Sequence, residues 1–181
     1  ITKMELQDPA YDRHIQFGFK LRLPELCAAV ALAQLENAEK LIDIRLKSAQ
    51  IWDEVISTCD WLIPQKASND HKNVYWSYAV RIDHPTVTWN KFRDEFVKLG
   101  GDGIYAAWKL SYQEPLLQNP SSIGWRSRLI SKERLARYKE KGVCPIAEDY
   151  QPKVLAFKTD YWDIEEAHKQ AEILKKTIKL F

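Results

Sequence analysis

Cysteine is scarce in this sequence of 181 residues, and its three copies, Cys27, Cys59 and Cys144, lie far apart. No two of them have the close spacing of a redox or metal-binding motif, and the four histidines show no ligand spacing either. An odd, sparse set of this kind is typical of buried free thiols in a reducing compartment. We therefore predict structural cysteines, a cytoplasmic protein and no metal site.

Long apolar runs and a surplus of charge are also missing. No stretch approaches the roughly 18 apolar residues that a membrane-spanning helix requires. Lys and Arg number 27 against 25 Asp and Glu, and a formal charge of +2 is too small for a dedicated nucleic-acid binder. Residues 1–10 lack the pattern of a signal peptide. Because the chain starts at Ile1 and not at Met, we expect a processed product or a fragment.

Glycine-rich phosphate loops and nucleophile motifs are missing as well. Gly100, Gly101 and Gly103 follow a predicted helix and do not open one, which excludes a dinucleotide-binding or P-loop motif. No serine stands in a nucleophile elbow, and no Cys–His signature is present. Any chemistry therefore depends on clusters of charged and aromatic side chains.

The most prominent feature that is present is a helix-forming stretch from Pro24 to about Ile56. It contains no further Gly or Pro, and Glu25 in its first turn favours the positive end of a helix. Its apolar residues form two stripes. The first comprises Leu26, Val30, Ala33, Leu41, Ile44, Ile51 and Val55, and the second comprises Leu32, Leu35, Ile42, Leu46 and Ile56. A single long helix of this kind is either buried between two bodies or central to one compact domain, and periodicity favours neither.

The rest of the chain alternates short strands and helices. Strands are predicted at residues 74–82, 104–110 and 154–158. Helices are predicted from Thr86 or Thr88 to Leu99, from Ser131 to Gly142, after Pro145, and from Asp160 to the end, with a long loop at 111–128. This order predicts an α/β (α+β) fold with an antiparallel or mixed sheet of three to four strands, helices on one face and a long helix before the first strand.

Two clusters of side chains are candidate binding sites. Lys20 and Arg22 alternate along an extended segment and suit a phosphate or a carboxylate, although the residues alone favour a solvated pair or salt bridges. A second cluster lies where a predicted strand enters the long loop, and it suits a sugar or nucleotide, or else faces the core. The members of this cluster are Tyr105, Trp108, Lys109, Tyr112 and Glu114.

The stretch GFKLRLPELCAAVALAQLE, residues 18–36, closely resembles a signature of the DegT/StrS-type sugar aminotransferases, which are fold-type I PLP enzymes. Their segment usually reads G-[FY]-N-x-R-[ML]-x-[ED]-[LIM]-x-A-A-[LV]-G-x-x-Q-L. The resemblance continues through residues 44–45, 75–81 and 103–116 and from Cys144 to the final helix.

This resemblance implies the C-terminal portion of such an enzyme. Residues 1–23 would be the extended tail of the large PLP domain, 24–58 the long bridging helix between the domains, and 59–181 the small domain of an aspartate-aminotransferase-like fold. The Schiff-base lysine would lie outside this chain, since Lys3 stands too close to the signature, and the chain would be inactive without the missing N-terminal domain. The enzyme would act as a homodimer in amino-sugar or polysaccharide biosynthesis, moving an amino group from glutamate to a nucleotide-linked keto-sugar with pyridoxal 5′-phosphate (PLP).

The resemblance also assigns roles to single residues. Lys20 stands where the family has an Asn that reaches the partner subunit's cofactor phosphate, and it is the predicted cofactor contact. Arg22, Tyr105, Trp108 and Lys109 are the predicted substrate contacts, although the family's usual His-containing pattern is absent from the last three. Two alternatives stay open: a PMP-dependent sugar dehydratase of the same family, and a non-catalytic small-domain remnant or interaction module.

Overall fold

A computed structural model describes residues 11–15, 18, 22–119 and 130–181 of the chain. The helices and strands, in chain order, are α1 (Glu25–Leu35), α2 (Ala38–Ile56), β1 (Leu62–Pro64), β2 (Tyr78–Ile82), α3 (Trp89–Lys98), β3 (Tyr105–Ala106), α4 (Pro115–Gln118), α5 (Lys132–Arg137), α6 (Pro145–Tyr150), β4 (Val154–Phe157) and α7 (Ile164–Ile178). Short 3-10 turns at Ser111–Gln113 and Gln151–Lys153 flank α4 and β4. None of the helices in these ranges is both long and apolar enough to cross a membrane.

The chain divides into two compact units. The sheet unit comprises residues 22–105 and 153–181, and the loop unit comprises the described residues of 1–21 and 106–152. The four-stranded sheet has the order β1-β2-β4-β3, with β1 and β4 both antiparallel to β2. This arrangement confirms the predicted α+β class and settles the choice between an antiparallel and a mixed sheet in favour of antiparallel pairing.

The core of the sheet unit lies between the sheet and its helices. Along β2, Tyr78, Val80 and Ile82 are buried while the residues between them are half-buried, as expected when alternate side chains face a core. Trp52 of α2 and Phe96 of α3 both contact the ring of Phe157, with centroids 4.9 Å and 5.9 Å away, so the two helices cover the same face. The α7 helix packs against both of them. Helices on one face of the sheet were the sequence prediction, and it is confirmed.

The predicted long helix is interrupted. Helix α1 ends at Leu35, and Asn37, with φ −101° and ψ 5°, precedes the first residue of α2. The Asn37 N–H donates to the Gln34 carbonyl, three residues back, which is the tighter bonding of a turn. Asparagine is a poor helix former because its side chain competes for backbone groups. The prediction of a single helix is therefore correct in extent and wrong in continuity.

Several predicted boundaries also move. The strand predicted at 74–82 begins only at Tyr78, because Tyr75 adopts φ +48° and cannot continue an extended ladder. The strand predicted at 104–110 is confined to β3, and β1 was not predicted at all. Thr88 caps α3 as predicted, whereas the cap of α7 is Asp163 and not Asp160, since its side chain accepts from the Glu165 N–H. Ser131 caps α5 as predicted, but α5 ends at Arg137, well before Gly142.

The apolar residues of α1 are left uncovered by the described chain. No residue of α1 is buried, and Leu26, Val30, Leu32 and Leu35 are between 58% and 79% exposed. By contrast, α2 buries Ile51, Trp52, Val55 and Ile56 in the core. Exposed leucines and a valine on more than one face of a helix are unusual on a free protein surface. Both predicted stripes are therefore divided along their length: their C-terminal residues lie in the core, and their N-terminal residues are exposed.

The cysteine prediction is wrong. All three are free thiols, but Cys27 and Cys144 are exposed and Cys59 is half-buried. Cys27 is exposed because it lies on α1, and Cys144 precedes the short surface helix α6. Burial raises the pKa of the Cys59 thiol above its usual range.

Candidate functional site

Of the two predicted anion contacts, Arg22 is described and stands at the start of the sheet unit. Lys20 lies outside the described residues. Arg22 is exposed two residues before Pro24, at which the backbone turns into α1. No other described residue forms an ion pair with Arg22, so its guanidinium is available to an anionic group.

The other three predicted contacts are divided between the units. Tyr105 is half-buried in β3 and belongs to the sheet unit. Trp108 and Lys109 belong to the loop unit, in the irregular segment that follows β3. The structure therefore places Trp108 and Lys109 together and gives each of them a partner in residues 11–15.

Trp108 is stacked beneath an arginine. The guanidinium carbon of Arg13 lies 3.6 Å from the centroid of the Trp108 ring, the geometry of a close cation–π contact. Trp108 is nevertheless 53% exposed, so part of the indole remains open to solvent. One nitrogen of Arg13, Nη1, is buried and has no hydrogen-bond partner among the described residues. Contact with the ring, and not a hydrogen bond at this nitrogen, therefore holds this end of the guanidinium.

Lys109 is paired with an aspartate. Its ammonium donates to the carboxylate of Asp12, a residue 97 positions away in the chain. The lysine side chain is 26% exposed and the aspartate side chain is 61% exposed. The water-facing member of the pair is therefore the carboxylate, which screens the charge of Lys109.

His14 anchors the same segment at a third point. Its Nδ1 lies 3.2 Å from Oε1 of Glu114, and its carbonyl accepts from the Leu116 N–H at 3.0 Å. His14 adopts φ +34°, which is uncommon for a residue with a side chain. Glu114 is only 5% exposed, and a buried carboxylate requires a polar partner. Asp12, Arg13 and His14 thus engage three residues of the 108–114 segment, and we call this arrangement the clasp.

Beyond the clasp, Tyr112 and Glu148 form a hydrogen-bonded pair in the loop unit. The Tyr112 hydroxyl donates to Glu148 Oε1 at 2.6 Å, and the same carboxylate accepts from the backbone N–H groups of Gly142 and Cys144 at 3.0 Å and 3.2 Å. The Tyr112 hydroxyl and these N–H groups hold the pKa of Glu148 below its usual range. Burial and the carboxylate raise the pKa of Tyr112 to about 12.

The pair borders a cavity of about 340 Å³. Its lining residues are Tyr112, Gln113, Gln118, Tyr138, Lys139, Glu140, Lys141 and Glu148. Gln118 closes one side by donating from Nε2 to the carbonyls of Tyr112 and Tyr138. Because the polar groups of Tyr112, Glu148 and Gln118 are engaged with one another and with backbone, the pair supports the loops of this unit.

Glu148→Gln is expected to destabilise the protein at neutral pH. A lowered folded-state pKa contributes stability above the unfolded value of about 4.3, and this contribution is lost as the pH falls through the folded pKa. Thermal unfolding of the native protein and of E148Q should therefore differ at pH 7 and converge below about pH 4. Glu140→Gln, on the rim of the same cavity, is the control. A difference between native protein and E148Q that persists unchanged at low pH would contradict this account.

The sequence analysis missed the clasp residues Asp12, Arg13 and His14. No local pattern announces them, because their partners lie about a hundred positions later in the chain. Glu148 entered the sequence analysis only within the segment after Cys144 that resembles the family. Its contact with Tyr112 depends on the fold, which brings α6 to the 3-10 turn at Ser111–Gln113. Among the described residues, no group of three or more His, Cys, Asp and Glu side chains could hold a metal ion.

Comparison of the sequence with protein-family models matches the DegT/DnrJ/EryC1/StrS aminotransferase family over residues 3–122. No curated protein matches the sequence.

Among solved structures, the chain is similar to the sugar aminotransferase CalS13 from Micromonospora echinospora, with a TM-score of 0.57 and 16% identity over 88% of this chain and 37% of that one. It is similar to 3-amino-5-hydroxybenzoic acid synthase, with a TM-score of 0.61 and 20% identity over 98% and 45% of the two chains. It is also similar to PseC of Helicobacter pylori, an aminotransferase involved in the biosynthesis of pseudoaminic acid, with a TM-score of 0.56 and 17% identity over 92% and 40%. These TM-scores show a shared fold, that of the fold-type I enzymes, and the chain spans less than half the length of each neighbour.

Proposed function

The chain belongs to the DegT/DnrJ/EryC1/StrS aminotransferase family, and from that premise we propose that it forms the C-terminal part of a PLP-dependent sugar aminotransferase. The proposed reaction moves an amino group from glutamate to a keto-sugar linked to a nucleotide. The family match over residues 3–122 is the observation that carries this proposal. The proposed activity belongs to the whole protein and not to this chain alone.

In binding of the cofactor, we assign this chain a contact with the phosphate of PLP and no other role. PLP supplies an electron sink for the bonds of the carbon that bears the amino group. Lys3 stands too close to the family signature at residues 18–36 to be the point of attachment. We assign the attachment to a lysine outside this chain, Lys20 to the phosphate of the cofactor, and Arg22 to an anionic group of the substrate. The guanidinium of Arg22 is exposed and forms no ion pair with another described residue, which fits that role.

The exposed apolar surface of α1 supports a large partner. An N-terminal domain would bury the exposed side chains of Leu26, Val30, Leu32 and Leu35. Room for such a domain is consistent with the coverage, since the chain spans only 37% to 45% of the solved neighbours described above. We propose that α1 is buried against that domain and that two copies form a homodimer with active sites shared across the interface. The three free thiols support a cytoplasmic location, since reducing compartments keep cysteines unpaired.

Leu32→Asp tests the burial of α1. In the whole protein, we expect the amide hydrogens of α1 to exchange roughly tenfold faster or more in this variant, because burying one leucine is worth about 1.5–3 kcal/mol. Hydrogen exchange with mass spectrometry measures this directly. Ile146→Asp is the matched control, since Ile146 is 75% exposed on α6 in the loop unit. Equal exchange of α1 in the native protein and in L32D would contradict a buried α1.

The proposed activity is tested by incubating the whole protein with PLP, glutamate and nucleotide-linked keto-sugars. Formation of 2-oxoglutarate together with an aminated sugar nucleotide is the expected result. Loss of water from the sugar without amino transfer would instead identify the PMP-dependent dehydratase. No cofactor binding and no turnover would identify an interaction module.

A further inference from the structure

We propose that the clasp makes the 108–109 segment a contact for an uncharged ring of the substrate and not for its phosphates. This inference rests on the proposed function, because it concerns which part of a nucleotide-linked sugar the segment meets. It adds Asp12 and Arg13 as residues that determine specificity. Lys109 then positions the carboxylate of Asp12 and does not contact a phosphate.

The first argument is the charge of the segment. Arg13 and Lys109 are cations, whereas Asp12 and Glu114 are carboxylates in the same clasp. The Lys109 ammonium donates to Asp12, and the more exposed partner of that pair is the carboxylate. An approaching phosphate therefore meets a negative group first, which opposes its binding.

The second argument is the open surface of Trp108. Arg13 covers one face of the indole at 3.6 Å, while the side chain remains 53% exposed. An exposed indole held in place by a stacked guanidinium is a preformed surface for a sugar ring or a nucleobase, since either can stack on an aromatic face. Arg13 thus holds the side chain of Trp108, and Asp12 holds that of Lys109, in orientations that favour contact with a ring.

The third argument is that the clasp fixes this surface in place. The His14 carbonyl accepts from the Leu116 N–H, and His14 Nδ1 contacts the buried Glu114 on the other side of the Tyr112 turn. The segment that carries Trp108 is therefore tied at both ends to residues 12–14. A surface held in this way loses less conformational entropy when a ligand binds.

The test measures binding of three probes to the whole protein by calorimetry: uridine 5′-diphosphate, thymidine 5′-diphosphate and inorganic pyrophosphate. Trp108→Ala should lower the affinity for the more tightly bound nucleoside diphosphate roughly tenfold or more and leave the affinity for pyrophosphate unchanged. Trp108→Phe keeps an aromatic face and should restore most of the affinity. Asp12→Asn removes the charged partner of Lys109 and should raise the affinity for pyrophosphate about threefold to fivefold.

These outcomes are independent of amino transfer, so they separate this inference from the proposed function. Equal loss of all three probes in W108A, with an unchanged thermal midpoint, would overturn the inference. So would an affinity for pyrophosphate that does not change in D12N. Failure of both nucleoside diphosphates to bind the native protein would instead contradict the proposed nucleotide-linked substrate. Arg13→Lys keeps a cation near the ring but not the planar group that stacks on it, so binding of the nucleoside diphosphate should be weakened in part. Arg13→Ala should weaken it further and leave binding of pyrophosphate unchanged.

Discussion

Replacement of Trp52 by alanine is expected to lower the free energy of unfolding by about 3–5 kcal/mol. Trp52 is 1% exposed, and its ring contacts Phe157 at 4.9 Å and Tyr161 at 6.5 Å between centroids. Its Nε1 also donates to the Lys158 carbonyl at 2.9 Å. The variant therefore leaves a cavity between α2 and β4 and an unpaired carbonyl at the end of β4. Urea unfolding followed by circular dichroism measures the loss.

Two further variants separate packing from hydrogen bonding at this position. Trp52→Phe retains an aromatic ring but loses the donor to Lys158, and we expect an intermediate loss of about 1–3 kcal/mol. Trp162→Ala is the control, because Trp162 is 82% exposed and its removal should change stability by less than about 0.5 kcal/mol. If W52A were no less stable than W162A, the core described here would be wrong.

Replacement of Arg22 by alanine is expected to raise the KM of the whole enzyme for the sugar nucleotide about 10- to 100-fold. A hydrogen bond to a charged group is worth about 1.5–3 kcal/mol, and Arg22 is exposed with no ion pair to another described residue. The KM for glutamate should change much less. Steady-state kinetics with each substrate varied in turn provides the measurement.

The controls for Arg22 test charge and geometry separately. Arg22→Lys keeps the charge but not the planar fork, so it should recover only part of the affinity. Arg137→Ala removes an exposed arginine from α5 and should leave both KM values unchanged. An unchanged KM for the sugar nucleotide in R22A would remove Arg22 from the proposed site.

The fold was largely predictable because the elements that form it have strong local patterns. The alternation in β2 and the helical spacing of α7 follow directly from which side chains face the core. The interruption at Asn37 was not predicted, because a single poor helix former in a long helix-forming stretch does not by itself mark a break, and the break follows from one local turn. The exposure of Cys27 was not predicted either, because an apolar helix suggests burial and the described chain does not cover α1.

The candidate site was predictable only in part. Trp108 and Lys109 could be selected because aromatic and cationic residues are adjacent beyond a predicted strand. Their partners Asp12 and Arg13 could not, because no periodicity links residues that are 97 positions apart. Sequence patterns report which side chains can bind a ligand, but the charge that a ligand meets depends on contacts made by the folded chain. The clasp changes the expected role of Lys109 for this reason.

The central claim is that this chain is the C-terminal part of a PLP enzyme whose cofactor is attached elsewhere. The most direct test is borohydride reduction of the whole protein loaded with PLP, followed by peptide mapping. We expect the reduced cofactor on a single lysine outside residues 1–181 of this chain. A label on a lysine within this chain, or no label on any lysine of the whole protein, would contradict the account.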